Sequence, residues 1–323
     1  MRLGILAASR IAEAAVIEPV VDGVELIAVA ARDEQRASQA AGRWNIPLAY
    51  GSYEAMLASG EIEAVYIGTP AALHRPWVEA AVRNGLHVLC EKPFAANVAD
   101  ARRAAEAARS SDRVVMEAFH WRYHPLVDQM RATLDRLGPV RTVEAWFDVQ
   151  EGRIGRGDIR WNFQLGGGAT MDLGCYCIAW VRWAVGAEPT VTRARAETTA
   201  DGVDAWLEAE LEWSGGVRGR IRSSMVAPER GSGLVVSCEE GTMRVDNPLA
   251  PQHGSRITVE TTRRITEFEV ERSSTYTHQL VAFRDAVVHG APFPTTVDEA
   301  IANMEVVDAC YRAAGLPVRP AVE

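Results

Sequence analysis

Short apolar runs alternate with helix-period segments over the first third of the chain. Residues 3–7, 26–30, 64–67, 87–90 and 114–116 read as strands, and residues 9–21, 34–43, 77–83 and 98–109 read as helices. Strands that are apolar on both faces must be covered on both faces, and strands joined through helices run parallel. Right-handed crossovers then wind the helices onto both sides of one parallel sheet, a doubly wound α/β arrangement of the Rossmann type.

The period changes after about Phe119. A helical stretch at 125–137 is stopped by Gly138-Pro139, and long alternating segments come next. In residues 206–213 Leu207, Ala209, Leu211 and Trp213 fall on one face and Glu208, Glu210 and Glu212 on the other, the pattern of a half-exposed antiparallel strand. Residues 143–149, 217–223, 235–238 and 257–261 resemble it, and helices at 277–289 and 297–314 close the chain. The expected fold is therefore α/β. An N-terminal Rossmann dinucleotide-binding domain covers residues 1–120. A C-terminal α+β domain with a large open-faced, mainly antiparallel sheet covers 121–323 and serves substrate binding and oligomerisation. Trp146 and Trp206 interrupt the polar face of that sheet. Large aromatics there favour a subunit contact, hence a homodimer or homotetramer, over plain solvent surface.

Composition narrows the function classes. The 323 residues are 48% hydrophobic with a formal charge of −9, enough for a sizeable core and without the basic face a nucleic-acid binder needs. No apolar run reaches a membrane span, and a strand pattern begins at once, leaving no signal peptide. Five cysteines in a chain this long read as reduced thiols, so the expected location is the cytoplasm. Cys175 and Cys177 lack a second pair of ligands nearby, and no metal is expected.

The turn after the first strand reads Ala7-Ala8-Ser9-Arg10-Ile11-Ala12. The dinucleotide fingerprint puts glycines where Ala7 and Ser9 stand, whereas Gly4 lies inside the strand. Small residues still let backbone approach a pyrophosphate at a helix N-terminus, and Ser9 adds a hydroxyl. The alternative is an ordinary strand-to-helix turn. At the end of the second strand, Ala31-Arg32 replaces the acid that binds ribose hydroxyls in NAD readers. A guanidinium grips a 2′-phosphate, which favours NADP(H) and leaves NAD(H) as the other option, with Asp33 next door opposing a phosphate.

Glu91-Lys92-Pro93 comes after the fourth strand, so Lys92 stands at the carboxyl edge of a parallel sheet, where such folds bind ligands. Gly166-Gly167-Gly168 leads into a helix on which Asp172 and Tyr176, four apart, share a face. A phenol with a pKa of about 10 is a poor base at neutral pH, and a neighbouring ammonium favours its phenolate. A packed tyrosine and a surface aspartate are the bland reading of the same pair. His74, His120, His124 and His278 are candidates to line a cleft.

Together, Glu91-Lys92-Pro93, the triple glycine with Asp172 and Tyr176, and the helix that opens at Tyr276 resemble the glucose–fructose oxidoreductase / inositol dehydrogenase / rhizopine-catabolism (Gfo/Idh/MocA) family, over essentially the whole chain. Much of that family has histidine where Tyr176 stands. Tyrosine there, with the stretch Met116 to Pro125, resembles the branch of dimeric dihydrodiol dehydrogenase and D-xylose dehydrogenase. The resemblance implies Lys92 and Tyr176 as the catalytic pair; Asp172, from its shared face with Tyr176, is the third catalytic candidate, orienting substrate or tyrosine. The resemblance also implies cofactor contacts at Thr69, Pro70, His74 and Glu91, and a segment at Arg160-Trp161 reaching toward the cofactor. The full cofactor set is thus Ala7, Ser9, Arg10, Ile11, Arg32, Thr69, Pro70, Leu73, His74, Glu91, Lys92, Arg160 and Trp161. Ala7 and Ser9 depart from the family's glycines.

The expected activity is interconversion of a secondary alcohol and a ketone, or a lactol and a lactone, on a sugar, other polyol or cyclic diol. Tyr176 acts as acid or base and Lys92 assists. A keto-sugar reductase of a biosynthetic pathway would run the same residues backwards. A non-catalytic NADP-sensing regulator is the reading from another class, and retention of both Lys92 and Tyr176 argues against it.

Overall fold

The computed structural model describes residues 1–321. These form two compact units, the first comprising Met1–Tyr123 and Thr275–Ile301, the second His124–Ser274 and Ala302–Pro320.

The first unit is built on six parallel strands, β1 (Arg2–Leu6), β2 (Glu25–Ala30), β3 (Leu48–Tyr50), β4 (Ala64–Ile67), β5 (His87–Cys90) and β6 (Val115–Glu117). Their order is β3-β2-β1-β4-β5-β6. The chain works outward on one side of β1, then crosses back to β4, which makes the boundary between β1 and β4 the switch point where such sheets open a crevice at the carboxyl ends. Alanines let the helices lie close to the sheet: Ala37, Ala40 and Ala41 on Glu34–Trp44, and Ala101, Ala104, Ala105 and Ala108 on Val98–Arg109 are all buried. Asp33 and Asn97 cap those helices through side-chain bonds to the backbone N–H of Arg36 and Asp100. The first helix is shorter than its expected 9–21. It runs Arg10–Ala12 and continues as a π turn over Glu13–Ile17, because Pro19 has no N–H to carry it on. Helix Thr275–His289, which lies beyond residue 120 in sequence, packs on this unit. Leu280, Phe283 and Ala286 join Leu3, Ile5 and Val16 in one core cluster.

The second unit carries an eight-stranded sheet of β7 (Val140–Gln150), β8 (Thr190–Thr198), β9 (Asp204–Glu212), β10 (Arg218–Ala227), β11 (Gly231–Cys238), β12 (Thr242–Asp246), β13 (Arg256–Glu260) and β14 (Ile265–Glu269). The order is β14-β13-β12-β11-β7-β10-β9-β8, with β7 and β10 parallel and the other pairs antiparallel. Alternation gives the sheet two faces. Val143, Ala145, Phe147, Leu207, Ala209, Leu211, Ile221, Leu234 and Val236 are buried, and helix Cys175–Val185 packs on β7, β10 and β11. The other face carries cross-strand ion pairs such as Arg195 with Glu208 and Arg222 with Asp148. Trp146 and Trp206 are half-buried on it rather than exposed. Trp146 lies across Gly233, where any Cβ would overlap the indole, and under the Arg244 guanidinium at 5.1 Å. Trp206 donates its ring N–H to Glu197 at 3.0 Å.

Candidate active site

The first unit presents the end of β1 and the end of β4 side by side. Ala7 leaves the strand at φ +84°, the left-handed region that the fingerprint glycine serves, at a cost of about 1–2 kcal/mol for a residue with a Cβ. Its N–H donates to Ala30 O at 3.1 Å, and Ser9 N–H donates to Ala7 O at 2.8 Å. Ser9 occupies the N-cap position of the first helix, yet its hydroxyl caps nothing. Ser9 Oγ is buried, with no hydrogen-bond partner among the described residues, and Thr69 Oγ1 at the end of β4 is the same. Gly68 makes the close approach possible, since a Cβ there would stand 2.6 Å from Ser9 Oγ. Buried hydroxyls left unpaired are costly. Two of them at the switch point fit an acceptor-rich ligand such as a dinucleotide. Pro70 and Leu73 bracket the short turn that leads into helix His74–Arg83, and Arg10 and Ile11 are exposed beside Ser9.

Lys92 is held through its backbone and its neighbours. Tyr66 donates to Glu91 Oε1 at 2.8 Å, and Lys92 N–H donates to Glu91 Oε2 at 3.2 Å. Burial, then the Glu91 charge, pushes the Tyr66 phenol well above its usual range. Phe94 N–H donates to Glu117 Oε1 at 2.8 Å on the far side of the cis Lys92–Pro93 bond. His74 ties the two strand ends together: its Nδ1 lies 2.9 Å from Pro93 O and its Nε2 2.8 Å from Thr69 O. The ring is 1% exposed. Burial drives its pKa down to about 4 against the two carbonyls, which favour the cation, and the Lys92 charge adds to the depression. The neutral ring has a single N–H, so it donates to one of the two carbonyls and only packs against the other, and it stands between the backbone of Thr69 and that of Pro93. The Lys92 charge also bears on His120, which burial first and Lys92 second lower to about 3. His120 stacks on Tyr276 at 4.1 Å, with Nδ1 2.7 Å from Thr275 Oγ1. His124 is a packed histidine whose Nδ1 accepts from Leu126 N–H.

Arg32 is exposed at the end of β2. Asp33, which in sequence opposes a phosphate there, is engaged: it accepts from Arg36 N–H at 2.8 Å and pairs with the Arg36 guanidinium at 3.3 Å. Arg32 and Arg36 both act electrostatically on Tyr53, which puts two cations at this corner. The sequence reading missed Arg36, although it stands one helical turn after Arg32.

In the second unit, Arg160 donates from Nε to Asp172 Oδ2 at 2.6 Å and from a terminal nitrogen to Asp158 Oδ1 at 3.1 Å. The Asp172 charge, foremost, raises the Arg160 pKa above its ordinary value. Asp172 is therefore not an unaccompanied carboxylate beside a tyrosine but half of an ion pair. Trp161 donates to Ile154 O at 3.2 Å and lies under the Arg156 guanidinium. Tyr176 is buried, its ring near Phe147 and Trp180 at 6.0 and 6.1 Å. The helix expected to carry Asp172 and Tyr176 opens as a π turn over Thr170–Gly174 before becoming α-helical at Cys175–Val185. The glycines ahead of it serve close packing. A Cβ at Gly167 would stand 2.6 Å from Arg160 O, and one at Gly168 would overlap Asp204 and Arg319. That buried Asp204–Arg319 pair was not read from the sequence, where neither residue falls on a periodic pattern.

Comparison with known proteins adds to this geometry. A family model described as the GFO/IDH/MocA oxidoreductase family, NAD-binding Rossmann fold, matches residues 1–119, and one described as the GFO/IDH/MocA C-terminal domain matches residues 127–244. A D-xylose 1-dehydrogenase (NADP(+)) of Haloferax volcanii is 34% identical over 97% of each chain. A trans-1,2-dihydrobenzene-1,2-diol dehydrogenase of Xenopus laevis is 37% identical over 65% of this chain and 63% of its own. Among solved structures, a 3-ketoreductase from Actinomadura kijaniata in complex with NADP and TDP-benzene superposes with a TM-score of 0.89 over 97% of each chain, at 25% identity. Lysine-to-alanine and tyrosine-to-phenylalanine variants of that enzyme superpose as well.

Proposed function

The chain belongs to the GFO/IDH/MocA oxidoreductase family, and from that premise we propose that it is an NADP(H)-preferring dehydrogenase or reductase acting on CH–OH groups of a sugar or cyclic diol. It would interconvert a secondary alcohol and a ketone, or a lactol and a lactone. The observation that carries the proposal is the pair of buried, unpartnered hydroxyls of Ser9 and Thr69 at the switch point of a dinucleotide-binding sheet.

Each group of residues has its own share of the work. Backbone from Ala7 to Ile11 faces the pyrophosphate, Ser9 and Thr69 donate to acceptor oxygens, Arg32 takes the 2′-phosphate, and Arg160 and Trp161 complete the cofactor set. When bound, the nicotinamide supplies the two-electron redox chemistry. In the oxidative direction Tyr176 takes the hydroxyl proton as general base, and in reduction it returns it. The Lys92 ammonium favours the phenolate and stabilises charge developing on the substrate oxygen. His74 and Glu91 fix the backbone around Lys92, and Asp172, restrained by Arg160, orients tyrosine or substrate. The lysine and tyrosine substituted in the Actinomadura ketoreductase are separated by the same number of positions as Lys92 and Tyr176, which supports the pairing. That enzyme's name as a 3-ketoreductase favours, as the second reading, a keto-sugar reductase with Tyr176 as the acid. No helix among the described residues is long and apolar enough to cross a membrane, and a cytoplasmic homo-oligomer joined through the open sheet face completes the proposal.

Lys92→Ala and Tyr176→Phe test it. Screened on sugars and cyclic diols, each variant should lose turnover by about 10²–10⁴-fold while NADP affinity, measured separately by fluorescence titration, stays within a few fold. Folded variants that bind NADP and keep full turnover would refute the assignment.

A further inference from the structure

Asp204 sits at the head of β9 with no exposed surface, and it gathers four donors. One carboxylate oxygen accepts from Thr170 N–H and from Thr170 Oγ1, both at 2.7 Å. The other accepts from Tyr311 OH at 3.0 Å and pairs with the Arg319 guanidinium. Arg319 is also fully buried. It donates from Nε to Gly167 O at 2.6 Å and lies over the rings of Tyr311 and Phe163 at 4.3 and 4.6 Å. One ion pair therefore holds the carbonyl of Gly167 and the N–H of Thr170, on either side of Gly168. Gly168 has φ +139° and no room for a side chain.

This grip falls at the start of the helix that carries Asp172 and Tyr176. The helix opens with a π turn in which Cys175 N–H reaches back five residues to Thr170 O. A π turn takes in more residues per revolution than an α turn, so the facing of every later side chain depends on where the turn is pinned. Thr170 is that pin: its carbonyl closes the π turn, and its N–H and hydroxyl are both committed to Asp204. Asp172 lies inside the turn and Tyr176 one residue beyond its close. A second restraint comes from Asn303, which donates to Cys175 O at 3.1 Å. A buried ion pair contributes little net stability compared with apolar residues of the same volume, so stability alone is a weak reason for this one.

We propose that Asp204 and Arg319, acting through Thr170, are positioning residues that set the facing of Asp172 and Tyr176. This rests on the reading of Tyr176 as the acid–base group. Neither Asp204 nor Arg319 touches substrate in this scheme; they fix the register of the helix that does.

Thr170→Val keeps the backbone donor and the side-chain shape but removes the hydroxyl bond. With 13Cζ-labelled tyrosine, Tyr176→Phe assigns the Tyr176 resonance. In Thr170→Val that resonance should move and kcat should fall about tenfold to a hundredfold, with NADP affinity unchanged. Thr170→Ser should restore both. Asp204→Asn should produce the larger change in the same direction with a lower Tm, and if it does not fold, the Thr170 pair decides alone. A folded Thr170→Val with an unmoved Tyr176 resonance and undiminished kcat overturns the proposal, as does a fall in Tm with both readouts unchanged. If Tyr176→Phe itself keeps full turnover, the acid–base reading fails, while the resonance still decides whether Asp204 sets the register.

Discussion

His74 spans two backbone carbonyls with one imidazole, and burial decides its charge. Its pKa of about 4 lies below the ordinary 6.5, so the unfolded chain binds a proton in that window and the folded chain does not. Stability is therefore full above about pH 6.5 and is lost as the pH falls toward 4, by on the order of 3 kcal/mol. His120, lowered to about 3 by burial and then by Lys92, adds a second proton of the same sign. Urea unfolding between pH 7 and pH 4.5 should show a pH slope smaller by nearly one proton in His74→Gln than in the native protein. An unchanged slope in the variant would mean that His74 is not the titrating group. The sequence showed that a histidine comes after β4, and the strand-end placement put it near the cofactor edge. It could not show that both nitrogens would face backbone, because the carbonyl of Pro93 arrives from a loop nineteen positions away. Lys92 was legible for the opposite reason: its place depends only on a strand end. The Arg160–Asp172 pair was not, since it joins an irregular loop to a helix start with no shared period.

In the proposed scheme, cofactor choice turns on one element, the step from β2 into helix Glu34–Trp44. An aspartate stands next to Arg32, and on charge alone it opposes a phosphate. The helix removes that objection by using Asp33 as its cap and pairing it with Arg36, leaving the exposed Arg32 guanidinium to meet a 2′-phosphate. Arg32→Ala should raise the KM for NADP by about tenfold to a hundredfold, the loss of a charge-assisted pair, and leave the KM for NAD nearly unchanged. Equal effects on both cofactors would place the 2′-phosphate elsewhere. Elements are legible where a run of buried positions is long enough to set a period. The alternating strand β9 and, in the first sheet, β1, β2, β4, β5 and β6 are legible close to their observed bounds, whereas the three-residue edge strand β3 and the five-residue strand β12 are not. Strand β8, Thr-Val-Thr-Arg-Ala-Arg-Ala-Glu-Thr, and strand β14, Ile-Thr-Glu-Phe-Glu, are not legible either. Both lie at the edges of the second sheet with mostly exposed side chains, and a strand that buries little leaves little pattern to read.

At the scale of the whole molecule, the open face of the second sheet combines a cavity, two indoles and a carboxylate oxygen in need of a donor. The cavity, of about 610 Å3, is framed by Trp146, Trp206, Asp148 and Arg222 among others. Asp148 is only 6% exposed there, and its Oδ1 has no partner among the described residues. A carboxylate oxygen withdrawn from water and left without a donor is costly, and a donor arriving from a second copy would remove that cost. The two half-buried indoles beside it supply the aromatic area that interfaces favour. The chain should therefore run as a homo-oligomer in light scattering coupled to size exclusion at micromolar concentration. Trp206→Glu, which sets a third carboxylate beside Asp148 and Glu197, should shift it toward the 35.2 kDa of one chain. Because the substitution lies on the face away from helix Cys175–Val185, it should leave the far-ultraviolet circular dichroism unchanged. A native protein that already runs as a single chain, or a variant that keeps the native mass, would return this face to solvent and leave the Asp148 oxygen to an ordered water.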